Sequence, residues 1–203
     1  MKTLFASILS SLQRCKRWIM VVAVIYCLSC LTGIFLVKMD NSFSLSYRDQ
    51  IVGKAVSQDK ASINYISGNR FTAALIDFKG NLLGSVTQTI IGLSVVLPFL
   101  TVSYQGWIGG IVSDDGNHQS RLNKIKSALY YFIVLILQYI PYSLTIGSGL
   151  RLGVETYRMN KSNNLFQYRI DKTGIRDVLN MYILATPLFF IASCFEFLSP
   201  WNI

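Results

Sequence analysis

The chain has 203 residues, of which 52% are hydrophobic and only 14% charged, and its formal net charge is +9. Four apolar stretches, opening at Trp18, Asn81, Ser127 and Val178, leave no length for a sizeable water-soluble domain. About 20 apolar residues at ~1.5 Å each cross a ~30 Å hydrocarbon core, so the predicted class is an all-α polytopic membrane bundle. In a soluble protein such a basic excess points to nucleic acid. Here Lys and Arg gather at the ends of membrane segments and meet anionic headgroups, so the lipid membrane is the expected partner and nucleic acid is not.

Residues 1–17 read as a basic amphipathic N-terminus. Leu4, Phe5, Ile8 and Leu12 follow helical spacing, with Arg14, Lys16 and Arg17 behind them, a pattern suited to lying in the interface plane. Residues 18–37 carry no charge and form the first span. That run exceeds the 7–15-residue core of a cleaved signal and no Ala-x-Ala follows it, so the span is expected to be retained. Cys27 and Cys30 form a C-x-x-C inside it. Hydrocarbon disfavours the thiolate that redox chemistry needs, so they read as packing residues.

Residues 38–80 read as an extramembrane helical loop. Tyr47, Ile51 and Ala55 form one stripe, Phe71, Leu75 and Phe78 another, and Ser67-Gly68-Asn69 a break between them. Residues 82–112 read as a span to about Tyr104, with Pro98 towards its far end, followed by a Gly-rich turn or short half-helix through Gly106, Gly109 and Gly110. The loop from Ser113 to Lys126 holds Asp114, Asp115 and His118, read as solvated.

Residues 127–150 are expected to be a broken or re-entrant span. Pro141 removes a backbone donor, Gly147 and Gly149 follow, and the irregular part is placed at Tyr139 to Tyr142. The final span covers 178–197 and ends near Glu196 and Pro200. The architecture expected is thus four to five membrane segments, one broken or re-entrant, with short surface helices in the first loop. Gly106 with Gly110, and Gly149 with Gly153, are G-x-x-x-G pairs that let helices approach closely.

The basic residues before the first span favour a cytoplasmic N-terminus. After two crossings the loop with Arg121, Lys124 and Lys126 would be cytoplasmic too. Four plain crossings then place Arg151, Arg158, Lys161, Arg169, Lys172 and Arg176 outside, against the positive-inside rule. A dip and return near Pro141, or an extra short crossing near Gly106, would resolve the conflict.

Several of these residues fall into a known order. Phe78-Lys79-Gly80-Asn81 opens a span containing Gly92 and Pro98, followed by Gln105-Gly106 and a Gly-x-x-Gly-Gly element. Ile140-Pro141 leads to Gly147-Ser148-Gly149-Leu150-Arg151-Leu152-Gly153, and Phe195-Glu196-Phe197-Leu198-Ser199-Pro200 closes the pattern. Over about 71–200 the chain resembles the stage II sporulation protein M family. It departs where many members carry Pro-His-Gly and Glu-Leu-Pro-Ala, since Leu137-Gln138-Tyr139-Ile140-Pro141-Tyr142 has neither the His nor the Glu. The resemblance implies an integral protein of the bacterial cytoplasmic membrane, without enzymatic activity, that works in a membrane complex. The namesake acts alongside a cell-wall hydrolase. The family is also similar in fold to the membrane halves of some ATP-driven exporters.

No H-E-x-x-H, G-x-S-x-G or phosphate-loop motif is present, and no metal-ligand spacing surrounds the single His118. A non-enzymatic protein without cofactor or metal is therefore expected. The polar candidates within the membrane are Glu196, Asn81, Gln88 and Gln138, with Pro98 and Pro141 as the breaks that would shape a pocket around them. Arg17 is the expected partner of Glu196 if the first and last segments meet on the same side. The expected partners are other membrane proteins or a separate cytoplasmic ATPase, or further copies of this chain.

Overall fold

The computed structural model describes residues 2–115, 117–161 and 169–200. Among them the chain is helical apart from the connecting turns, and an isolated bridge joins Asp114 and Ser120. The helices are α1 (Lys2–Lys38), α2 (Ser42–Gln58), α3 (Lys60–Ile66), α4 (Arg70–Ile91), α5 (Leu97–Ile111), α6 (Ile125–Asn160) and α7 (Lys172–Leu198). Three of them, α1, α6 and α7, are long and apolar enough to cross a membrane.

The outside of these three helices is apolar in stripes. Met20, Val24, Leu28, Leu31 and Phe35 are exposed along α1, and Leu129, Phe132, Ile136 and Ile140 along α6. The inside holds Ser85, Thr89, Ser143, Thr145, Ser148 and Asp177, all buried. A water-soluble bundle has the opposite polarity. In hydrocarbon the arrangement is stable, because lipid covers the apolar stripes and buried hydroxyls bond to backbone carbonyls one turn back, as Ser143 does to Tyr139 and Thr145 to Pro141.

The helices other than α2 and α3 run between the two ends of the bundle. Asp177 on α7 meets Arg14 on α1 and Arg151 on α6, which fixes one end, the basic end. At the other, the loop end, Arg48 on α2 reaches the carbonyl of Asp114 beyond α5. α6 is antiparallel to α1, since Tyr131 faces Cys30 while Gly147 faces Ile19. α5 runs parallel to α1, with Gly106 against Tyr26 and Gly110 against Gly33. A core of Val22, Val102, Tyr139, Ile146, Leu150 and Val154 lies between these helices.

Three expectations are corrected. Residues 2–17 do not form a separate element, because α1 continues unbroken from Lys2 to Lys38. The broken span 127–150 is likewise one helix: α6 runs through Tyr139 to Tyr142 with Pro141 inside it. Proline removes a single bond from the ladder. The residues after it are buried from Ser143 to Leu150 between neighbouring helices, and Ser and Thr hydroxyls bond to carbonyls around it.

The third correction moves the break to another place. The span 82–112 is interrupted at 92–96, and the Gly-rich part is helical. Pro98 sits in the first turn of α5, where its missing donor costs nothing. Val95 is at φ 65°, a left-handed conformation unusual for a β-branched residue. Gln88 and Thr101, on opposite sides of the break, share a 2.8 Å hydrogen bond from the Thr hydroxyl. Thirteen residues of straight helix would separate them by roughly 20 Å, so the chain turns back. The loop at 113–124 therefore lies at the loop end, opposite Arg14 to Arg17, and α6 does not dip and return.

Candidate functional site

α2 and α3 sit across the loop end. Asn41 caps α2 by accepting from the amide of Ser44, and Asp59 caps α3 by accepting from that of Ser62. Gly68, at φ 84°, turns the chain into α4. Arg48, 2% exposed, bonds to the Asp114 carbonyl and to the Asp49 carboxylate, whose other oxygen lies 3.0 Å from His118 Nε2. The loop read as solvated is thus partly closed: Asp114 is buried, and His118 has a partner in Asp49.

These contacts set opposite biases on neighbouring carboxyls. Desolvation pushes the Asp114 carboxyl up. The bonds from Arg48 and His118 hold Asp49 below its ordinary 3.8. A lowered carboxyl contributes stability that is complete above its ordinary value and lost as pH falls through the lowered one. Acid is therefore expected to free α2 from the loop below about pH 3.8. Trp107, which packs 5.1 Å from Tyr47 of α2, would report this by emission in a Trp18→Phe, Trp201→Phe background. Asp49→Asn should remove the transition.

Beneath α3 lies a cavity of about 580 Å³, walled by Tyr26 of α1, Gln105 and Gly109 of α5, Tyr130 to Tyr142 of α6 and Glu196 of α7. Glu196 accepts a short hydrogen bond from the Gln138 amide, and its backbone carbonyl accepts from Tyr130 at 2.8 Å. Gln138 is roughly 20 Å along α6 from Ile125 at ~1.5 Å per residue. Glu196 accordingly faces the middle part of α6, two residues before the end of α7. Ionisable groups in such apolar surroundings are costly and mark candidate sites.

The other polar candidates extend the same wall. Asn81 donates to Asp77 at 2.8 Å and accepts from Tyr142 at 3.0 Å. Asp77 also accepts from Ser193 on α7 at 2.7 Å. Gln88 lies apart, bonded to Thr101 near the break. Pro98 and Pro141 shape the backbone without reaching these groups. Gly106 and Gly110 face α1, while Gly149 and Gly153 face Thr89 and Gly92.

Arg17 is not the partner of Glu196. It stacks on Trp18, 5.6 Å from the ring centroid, at the basic end. The pairing of α1 with α7 occurs there through Arg14 and the fully buried Asp177, which also binds Ser11 and Arg151. Asn180 continues this seam with bonds to Ser7 and Ser11 at 2.9 and 2.8 Å. Sequence reading missed Asp177 and Asp77 because it searched inside the uncharged stretches. Their position one to four residues before such a stretch, at Val178 and Asn81, was the available signal.

Among the described residues no group of three His, Cys, Asp or Glu is placed to hold a metal ion. No family model, curated protein or solved structure matches this chain.

Proposed function

We propose that this protein is a non-enzymatic, multi-pass subunit of a membrane complex, similar to the stage II sporulation protein M family, and acts as a scaffold or assembly partner. The observation that carries the reading is the surface of the loop end. Phe43, Val56, Ile63 and Phe71 are exposed on α2, α3 and the start of α4. Exposed apolar side chains on helices outside the spans suit contact with another membrane protein. In this reading α4 and α5 enter the membrane as an antiparallel pair beside α1, α6 and α7, giving five membrane segments.

The basic end then faces the cytoplasm. Arg14, Lys16 and Arg17 share it with the basic residues between Arg151 and Arg176, which satisfies the positive-inside rule without a re-entrant α6. The membrane is the bacterial cytoplasmic membrane. The experiment is mild-detergent purification of the tagged protein from its host, followed by mass spectrometry. Stoichiometric membrane or cell-wall proteins without an ATPase are expected. Phe43→Ser combined with Phe71→Ser should release them while the protein stays in the membrane.

The cavity with Glu196 and Gln138 favours a second reading, a permease-like component of an ATP-driven exporter. In that case a cytoplasmic ATPase co-purifies, and its binding depends on the basic end instead of on Phe43 and Phe71.

A further inference from the structure

We propose that the basic end holds a site for one anionic phospholipid, with its phosphate between the starts of α1 and α7 and its acyl chains along α7. A cavity of about 580 Å³ lies there, lined by Ser7, Ser10 and Arg14 of α1 and by Lys172, Thr173 and Arg176 of α7. Its volume is within the ~300–1,000 Å³ usual for ligand cavities. Among the described residues its lining holds no carboxylate.

The charges at this end do not cancel within the protein. Arg14 binds Asp177, and Arg151 binds Asp177 and Asp171, so two guanidiniums meet two carboxylates. Lys172 and Arg176, exposed one turn apart on α7, make no ion pair among the described residues. They leave the cavity with two uncompensated positive charges. The amides at the start of α7 add nothing to this, because Asp171 already accepts from those of Thr173 and Gly174. Ser7 accepts from the Asn180 amide at 2.9 Å. Its own proton, and that of the Thr173 hydroxyl, bond to no described residue. Two cations and two hydroxyl donors suit an anion with several acceptor oxygens, as a phosphate has.

The source of that phosphate follows from what continues the same face of α7. Lys172, Arg176, Leu179 and Ile183 recur at i, i+4, i+7 and i+11, the spacing of one helix face. Leu179 is 61% exposed and Ile183 48%. Arg176 stands two positions before the uncharged stretch that opens at Val178. The cations thus sit at headgroup level, with bare apolar side chains leading from them into hydrocarbon. That order matches an amphiphile better than a free anion, and basic pockets at the ends of membrane helices recognise anionic headgroups. The inference rests on α7 crossing a membrane and on no protein partner, so it stands or falls separately from the scaffold reading.

The test titrates phosphatidylglycerol or phosphatidylcholine into the full-length protein in mild detergent and counts bound lipid by native mass spectrometry. One phosphatidylglycerol should bind at saturation, roughly tenfold more tightly than phosphatidylcholine, whose own cation meets Lys172 and Arg176. Lys172→Gln with Arg176→Gln should weaken it roughly thirtyfold, the size expected of two basic residues at an anionic surface. Lys16→Gln with Arg17→Gln removes two charges from the same end outside the cavity and should leave the affinity nearly unchanged. Equal affinity for the two lipids would overturn the proposal on the wild-type protein alone. Equal losses in the two double variants would reveal diffuse attraction and overturn the site. Displacement of the lipid by inorganic phosphate, at an ionic strength matched with chloride, would overturn the lipid as its occupant.

Discussion

Asp177→Asn is expected to be among the most damaging single substitutions in this protein. The carboxylate is 0% exposed and binds two arginines, Arg14 from α1 and Arg151 from α6, together with the Ser11 hydroxyl. Removing one member of a buried pair leaves the other charged and poorly solvated, at a cost of about 3–5 kcal/mol. The lower part of that range applies, because the Arg14 side chain is 37% exposed and can turn to water while that of Arg151, 12% exposed, cannot. A fall in thermal midpoint and in membrane accumulation should follow. Glu155→Gln is the contrast, since its pair with Arg158 is largely solvated and such pairs contribute about 0–1 kcal/mol. Equal losses for the two variants would show that Asp177 does not hold the three helices together.

The second large effect is expected at Gly110. A methyl group there would meet the Cys30 carbonyl and the Gly33 Cα across the α1–α5 seam, and both are backbone atoms that cannot rotate away. Neighbouring positions repeat the constraint. A Cβ at Gly33 would lie 2.5 Å from the Trp107 carbonyl, and one at Gly106 would lie 2.6 Å from that of Tyr26. Gly110→Ala must therefore push α5 away from α1, and overpacking of this kind costs about 1–3 kcal/mol. Gly53 in α2 and Gly80 in α4 have nothing within 4 Å of an added Cβ. There the same substitution gains helix propensity, about 0.5–1 kcal/mol. Melting in detergent should move down for Gly110→Ala and up or not at all for the other two. A neutral Gly110→Ala would refute the close seam.

The α1–α5 seam also shows why one misplaced turn altered the expected topology. Gly106, Gly109 and Gly110 read as a turn or a short half-helix because glycine is a poor helix former in water. Inside a bundle that bias is outweighed, since a backbone group released from the helix finds no water to bond. The absent side chains serve the approach of α1 instead. Gly92 to Val96 carried only one glycine in an otherwise uncharged run, yet the helix stops there. With the break moved, α5 returns to the loop end and the basic segments fall together at the other.

The site was legible in part. Glu196 and Gln138 stood out as polar residues in apolar surroundings, because an ionisable group in a membrane stretch is costly wherever it lies. Their bond to each other, across 58 positions, was not legible. Nor were the neighbours Asp77 and Ser193, or the choice of Asp177 over Glu196 as the partner of an arginine on the first helix, Arg14.

By itself the sequence determined the class of this protein: all-helical, with uncharged stretches long enough to cross hydrocarbon, where each backbone group must bond within its own segment. It also determined that residues 38–80 would hold short helices, because apolar residues recur there at helical spacing. Only the tertiary structure decided where helices stop, which way α5 runs and which carboxylate meets which arginine. Those outcomes depend on contacts between residues distant in sequence, where close backbone approach and the pairing of buried charge outweigh local propensity.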